Sequence, residues 1–187
     1  MFRLQGKTLA SIKVTKRASN IEYAIRDVIV HTQELIKNGK KIYYLNVGDP
    51  AAFDFKTPDY VKEALCKAIA NDDNYYSPSE GRKELREAIA QKEKRVNKVD
   101  ISADNVLITD GISEGIQMIL AALVENGDEI LFPGPTYPPY ISYTKFFDGT
   151  PVAYETIEKE GWIPNVDDLR SKITEKTRAI VITNPNN

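Results

Sequence analysis

One cysteine, one histidine, one tryptophan and two methionines are all that this 187-residue chain carries of those types. The lone Cys66 excludes an intrachain disulfide, which suits a reducing compartment and makes the cytoplasm the expected location. Set among the helix formers Ala64-Leu65-Cys66-Lys67-Ala68, it reads as a packing residue. The lone His31 gives a histidine-based metal cluster or triad only one residue to build on, and it reads as a helix-surface or interface side chain. Charge of one sign is missing as well. Lys plus Arg number 25 against 27 Asp plus Glu, so no bulk positive field exists to hold nucleic acid or anionic lipid. Long apolar runs are also lacking: the longest, Ile116 to Val124, contains Gln117 and falls far short of the ~20 residues a membrane span needs. Internal repeats and low-complexity tracts are missing too.

What is present suffices for a folded core, with 42% apolar and 28% charged residues in a chain long enough for one large domain or two small ones. Met1 to Arg17 carries Arg3, Lys7, Lys13, Lys16 and Arg17 and no acid. It has no continuous apolar centre and is lysine-heavy, so it reads as a solvated arm or a lead-in to a helix, not as a targeting presequence. Ile21, Ala24, Ile25, Val28 and Ile29 then recur at helical spacing up to Leu35, before the breaker Asn38-Gly39 and a strand-like run from Ile42 to Val47. Gly48-Asp49-Pro50 and Thr57-Pro58-Asp59 bracket an irregular loop. The spacing predicts amphipathic helices over Tyr60 to Ala70 and Gly81 to Val96, separated by the turn-rich Asn74-Tyr75-Tyr76-Ser77-Pro78-Ser79-Glu80. Both signs of charge surround an apolar stripe from Arg82 to Lys98, the mark of a solvated helix face.

From Asn105 short apolar strands alternate with helices. Val106 to Thr109, Ser113 to Val124, Glu129 to Phe132 and Tyr137 to Phe147 are followed by Val152 to Tyr154, Val166 to Ile173 and Ala179 to Thr183. That alternation predicts an α/β fold, a three-layer αβα sandwich with a mostly parallel sheet. Ligands of such sheets bind at the carboxyl ends of strands, where the loops starting at Asp110, Pro133 and Asn184 are expected.

Thr109-Asp110-Gly111-Ile112-Ser113-Glu114-Gly115 passes from a predicted strand through a glycine to a helix. Ser113 can cap free backbone N–H groups there, and a helix N-terminus of this kind binds phosphate. An ordinary N-cap is the plainer reading, and Asp110 would repel a phosphate unless it points away. In Pro133-Gly134-Pro135-Thr136-Tyr137 the prolines stiffen the loop, and Tyr137 reads either as a flat surface for a planar ligand or as a buried wedge. Tyr76 reads either as a phenol donor to a phosphate or as a loop aromatic, and Trp162, after Glu160-Gly161, as a surface anchor.

Taken in order, Leu45-Asn46-Val47-Gly48-Asp49-Pro50, Asn74-Tyr75-Tyr76 with Gly81 and Leu85-Arg86, Thr109-Asp110-Gly111, Pro133-Gly134-Pro135-Thr136-Tyr137 and Asn184-Pro185-Asn186-Asn187 resemble the class I and II aminotransferases, pyridoxal-phosphate enzymes of fold type I. The resemblance runs from about Ile21 to the last residue. Glu22-Tyr23-Ala24-Ile25-Arg26-Asp27 and Phe53-Asp54-Phe55 look most like the archaeal-type alanine aminotransferases.

The resemblance implies that backbone N–H groups of Gly111 and Ile112, with Ser113, hold the phosphate of pyridoxal 5′-phosphate. Tyr137 stacks on the pyridine ring and Asn187 donates to its phenolic oxygen. Tyr76 reaches the phosphate bound by the other subunit of a homodimer, and Gly48 lies beside the substrate carboxylate. It implies an N-terminal arm and part of a small domain over residues 1–50, and the first half of the cofactor-binding large domain over 51–187. The final Asn-Pro-Asn-Asn looks like a longer Asn-Pro-Asn-Asn-Pro-Thr-Gly signature cut short. The Schiff-base lysine is then expected beyond Asn187, and no residue of this stretch is given a catalytic role, so the stretch alone is expected to be inactive and poorly soluble. Ser142-Tyr143-Thr144-Lys145 only imitates a Ser-x-x-Lys motif, with Lys145 a solvated helix lysine. The implied activity is amino transfer from an L-amino acid, alanine by this likeness, to a 2-oxo acid such as 2-oxoglutarate. A carbon-sulfur lyase or decarboxylase on the same cradle, or a non-catalytic fragment that binds phosphate or dimerises, are the alternatives.

Overall fold

The computed structural model describes residues 3–4, 7–8, 13–19, 21, 24–45, 48–52 and 54–185. The motif residues Glu22, Tyr23, Asn46, Val47, Phe53, Asn186 and Asn187 lie outside the described residues, as does the side chain of His31. By contacts the chain divides into two compact units, one formed by Met1–Ile42 with Gly115–Asn187 and the other by Tyr43–Glu114.

The first unit opens with a short antiparallel pair, β1 (Arg3–Leu4) and β2 (Lys7–Thr8), followed by α1 (Lys16–Ser19) and α2 (Ala24–Lys37). α2 stops where the sequence predicts, at Asn38-Gly39. Gly39 N–H donates to Ile36 O at 2.9 Å and Lys40 N–H to Leu35 O at 3.0 Å, the paired bonds of a Schellman ending. The predicted strand after it is not formed over residues 42–45.

In the second unit α3 (Asp59–Ala70) begins directly after Pro58, with Asp59 in its first turn where the helix dipole favours an acid. None of its residues is buried: Tyr60, Leu65 and Ile69 are exposed, and so is Cys66, which corrects the expectation that the cysteine packs. α4 (Lys83–Lys92) continues into a single π turn, Glu93–Asn97, ended by Lys98 in the left-handed region at φ 59°. The predicted strand Val106–Thr109 is irregular backbone. One hydrogen bond, Ile108 N–H to Glu80 O at 3.0 Å, ties it to the loop ahead of α4, and no strand among the described residues offers it a ladder.

α5 (Gly111–Leu123) starts two residues earlier than the sequence predicts. Its Gly115–Leu123 part belongs to the first unit, where Ile116 and Leu120, with Val124 just beyond the helix, form a buried stripe at i, i+4 and i+8. The stripe packs on β3 (Glu129–Gly134), the centre of a sheet whose other strands are β4 (Thr150–Ile157), β5 (Ile163–Pro164) and β6 (Thr177–Ile180), in the order β5-β4-β3-β6. β3 runs parallel to both β4 and β6, and β5 folds back antiparallel on β4. α6 (Pro138–Phe146) carries the chain from β3 to β4 and α7 (Val166–Ser171) from β5 to β6. Both helices pack against β4.

This is the parallel α/β order the alternation predicts. A central parallel strand is covered on both faces, and Ile130, Leu131 and Phe132 are 0%, 0% and 1% exposed. Ile130 and Phe132 join the α5 stripe in one core, with Tyr137, Tyr140, Tyr143, Phe147, Ala179 and Val181 packed around it. Burying each of these large apolar side chains contributes about 1.5–3 kcal/mol.

Candidate functional site

In the Tyr43–Glu114 unit the predicted phosphate cradle is the first turn of α5. Gly111 sits at φ +77°, a conformation glycine reaches without a Cβ penalty, and this turns the chain sharply into the helix. Its N–H donates to Thr109 O at 2.9 Å, while the Thr109 hydroxyl donates to Gly111 O at 2.9 Å. Asp110 N–H donates to the Glu114 carboxylate.

Of the expected donors, Gly111 N–H is thus committed within the turn. Ile112 and Ser113 fall among the first residues of α5, whose N–H groups have no acceptor inside the helix. Ser113 is not the N-cap the sequence suggests. It lies inside the first turn, and the Glu114 carboxylate reaches back to Asp110 N–H, just ahead of the helix. Nothing approaches within 4 Å of where a Gly111 Cβ would sit, Ile112 is 69% exposed, and Asp110 is exposed too. The turn is therefore open, rich in N–H donors and placed at the positive end of a helix, a donor set that fits a phosphate.

Tyr76 lies in the same unit on the loop between α3 and α4, with its ring fully exposed, and Gly48 is exposed with nothing near it. Sequence reasoning gave no role to the residue that holds this loop, although Leu85-Arg86 stands among the family-like motifs. Arg86, on the same face of α4 as buried Ala90, has a buried side chain. Its Nε donates to Gly81 O at 3.2 Å, one terminal nitrogen to Ala103 O at 2.9 Å and the other to Glu80 at 3.4 Å. Asp104 stands 3.8 Å away as a weaker partner. The sequence offered it as part of the Leu85-Arg86 motif and as one charge in a solvated helix pattern, and burial cannot be read from either.

In the other unit the loop after β3 carries Tyr137 to the N-cap position of α6. The ring is half-buried and meets Tyr140 edge to face, with centroids 6.0 Å apart at 85°, and Tyr140 leans on Phe132 at 5.6 Å. The hydroxyl of neighbouring Thr136 is the single buried side-chain polar atom without a hydrogen-bond partner among the described residues. β3 and β6 are parallel neighbours, so the Tyr137 loop and the segment running to Asn184-Pro185 leave from the same carboxyl edge, as the sequence predicts. Thr156 Oγ1 donates to Gly134 O at 2.7 Å and Tyr154 Oη to Val181 O at 2.8 Å, pinning both strand ends. Burial pushes the Tyr154 phenol above its ordinary value. Asn187 lies outside the described residues, and Lys145 is exposed on α6, as expected. Among the described residues no group of His, Cys, Asp and Glu could hold a metal ion, and no helix is long and apolar enough to cross a membrane.

The family model described as aminotransferase class I and II matches residues 40–187. The chain belongs to that family. The alanine aminotransferase of Mycobacterium tuberculosis is 38% identical over 173 residues, covering 91% of this chain and 40% of the relative. The glutamate-pyruvate aminotransferase AlaA of Escherichia coli is 34% identical over 180 residues, covering 96% and 44%. Among solved structures, alanine aminotransferase from Pyrococcus furiosus superposes with a TM-score of 0.89 at 54% identity, over 94% of this chain and 44% of that one. The fold of this aminotransferase-family chain is accordingly the α/β fold of the fold-type-I enzymes, of which it spans less than half the length of these relatives.

Proposed function

We propose that the protein is a pyridoxal 5′-phosphate-dependent aminotransferase that moves the amino group of an L-amino acid, alanine foremost, to a 2-oxo acid such as 2-oxoglutarate. The observation that carries this reading is the open first turn of α5, with Ile112 and Ser113 following a left-handed Gly111 at the head of a 13-residue helix. Their N–H groups and the Ser113 hydroxyl would hold the cofactor phosphate, with Gly111 shaping the turn and Glu114 fixing the peptide before it.

Tyr137 would present its free face to the ring, backed by Tyr140, and Asn187 would donate to the ring's phenolic oxygen. Tyr76, fully exposed, would reach the phosphate held by the partner subunit of a homodimer, and Gly48 would sit beside the substrate carboxylate. When bound, the cofactor supplies an electron sink for the electrons left on the substrate α-carbon once its proton is removed. The residues in hand bind and orient; the proton transfer is assigned to none of them. Two of the similar proteins are named alanine aminotransferases, which supports alanine as a substrate. The division into residues 1–50 and 51–187, the cytoplasmic location and the homodimer belong to the same proposal.

The test uses the purified full-length gene product, titrated with pyridoxal 5′-phosphate by absorbance and then supplied with alanine and 2-oxoglutarate. Glutamate and pyruvate should appear in equal amounts, and Ser113→Ala should weaken cofactor affinity about tenfold, the effect of one hydrogen bond to a charged group. Release of carbon dioxide or sulfide without amino transfer would make the protein a decarboxylase or lyase instead. Failure to take up the cofactor would sink the reading altogether.

A further inference from the structure

The geometry around Arg86 points to a role that motif reading does not assign. We propose that Arg86 and Gly81 form a clasp that positions two phosphate contacts at once: the cradle of α5 and the loop bearing Tyr76. The inference rests on the cofactor reading given above.

Its parts all lie within the Tyr43–Glu114 unit. The Tyr76 loop closes through Gly81, whose N–H donates to Pro78 O at 2.9 Å. Gly81 stands at φ +100°, and a Cβ there would lie 2.5 Å from Ile108 Cβ and nearer still to its Cγ1, so only glycine lets the loop seat against Ile108. The adjoining backbone is bonded as well, Ile108 N–H to Glu80 O at 3.0 Å. Ile108 is three residues before Gly111, on the irregular stretch that feeds the cradle.

Arg86 closes the arrangement from beneath, one nitrogen on Gly81 O and another on Ala103 O, at the start of that same stretch. A planar guanidinium is suited to this, since it holds donors in a fixed fork and keeps its charge at any working pH. The segment it steadies forms no sheet ladder among the described residues, and within the Tyr43–Glu114 unit these hydrogen bonds tie it to the Tyr76 loop. Because Tyr76 is read as serving the partner subunit's phosphate and α5 its own, one buried arginine sets the geometry of contacts destined for two sites. Arg86 is thus a positioning residue.

The experiment is a double-mutant cycle on the full-length gene product, with pyridoxal 5′-phosphate affinity and the melting midpoint of the cofactor-free protein both recorded. Arg86→Lys, which keeps the charge and loses the fork, should weaken cofactor affinity about tenfold, the scale of misplacement by a fraction of an ångström to an ångström. Tyr76→Phe should cost about tenfold in the wild-type background and less than threefold beside Arg86→Lys, because a phenol that is no longer positioned has less to lose. Ile108→Ala, which removes the packing against Gly81 without touching charge, should show the same loss of coupling and stands in if Arg86→Lys folds poorly. Penalties that simply multiply in both backgrounds would overturn the inference, leaving Arg86 a stabiliser of the fold. A wild-type protein that takes up no cofactor, or whose affinity ignores Tyr76→Phe, would overturn the cofactor reading and this inference with it.

Discussion

The sheet of one unit and the loops of the other are held by different physics. Around β3 three consecutive side chains are almost wholly buried, α5 lays an apolar stripe across two of them, and an aromatic row from α6 closes the core. Among the described residues of Tyr43–Glu114 the buried ones are Arg86 and Ala90, and Tyr60, Leu65, Ile69 and Leu85 stand exposed. The first region is fixed by area removed from water, which is non-directional and spread over many contacts. The second is fixed by a few directional hydrogen bonds from one guanidinium, so its order depends on a handful of atoms. The turn at Gly111 lies in the second region and is open, with Ile112 and Asp110 exposed.

Substitutions can break or sharpen that contrast. The largest effect is expected from Phe132→Ala, which should cost about 3–5 kcal/mol in urea denaturation by leaving a cavity under Tyr140. A smaller loss, of about 2 kcal/mol, is expected from Arg86→Met, which keeps the stem but leaves Gly81 O and Ala103 O without their donor. Amide exchange in that variant should quicken at Ile108 while β3 stays protected; quickening in both would abolish the contrast.

Tyr154→Phe comes next, at about 1 kcal/mol for the lost bond to Val181 O. It also carries a pH signature. The buried phenol is held above its ordinary value, so the folded protein keeps it neutral after the unfolded chain has begun to ionise. Its stabilisation is complete below pH about 10 and is lost as pH rises through the folded value, and the phenylalanine variant should lack that alkaline fall. The smallest change is expected from Asp168→Asn. Hydrogen bonds from Lys172 and from Glu155 N–H hold the Asp168 carboxyl below its ordinary value, so its contribution is present above pH about 4 and fades as pH falls through the folded value. Melting profiles against pH should be flatter on the acid side for the asparagine variant.

Much of the sheet region was legible in advance. The run Glu129 to Phe132, the helix after Tyr137 and the stop at Asn38-Gly39 are local signals: an apolar run, prolines at a helix start and a turn pair. Their ends moved by a few residues, as with β3 continuing through Pro133-Gly134 and α5 beginning at Gly111. Val106–Thr109 failed for a physical reason. Its apolar pattern is that of a strand, but a strand exists only with a partner, and pairing is not a property of the segment itself. Cys66 failed likewise, because helix-forming neighbours indicate a helix and say nothing about what covers it.

The candidate site divides in the same way. Gly111, Ser113, Tyr76 and Tyr137 drew notice by residue type, each with a plainer reading beside it, and their site roles came from the ordered motifs that resemble the family. Which donors are open was not in the sequence: Gly111 N–H turned onto Thr109, Glu114 bonded back to Asp110 N–H, and Ser113 fell inside the first turn. The sequence by itself determined the family, the order of elements and the chemistry on offer, because periodicity, turn residues and ordered motifs are local. Only the tertiary structure decided that Arg86 is buried, that Gly81 must admit Ile108, and that the Tyr137 loop shares a carboxyl edge with the segment reaching Asn184, because each depends on which distant residues come within a few ångströms.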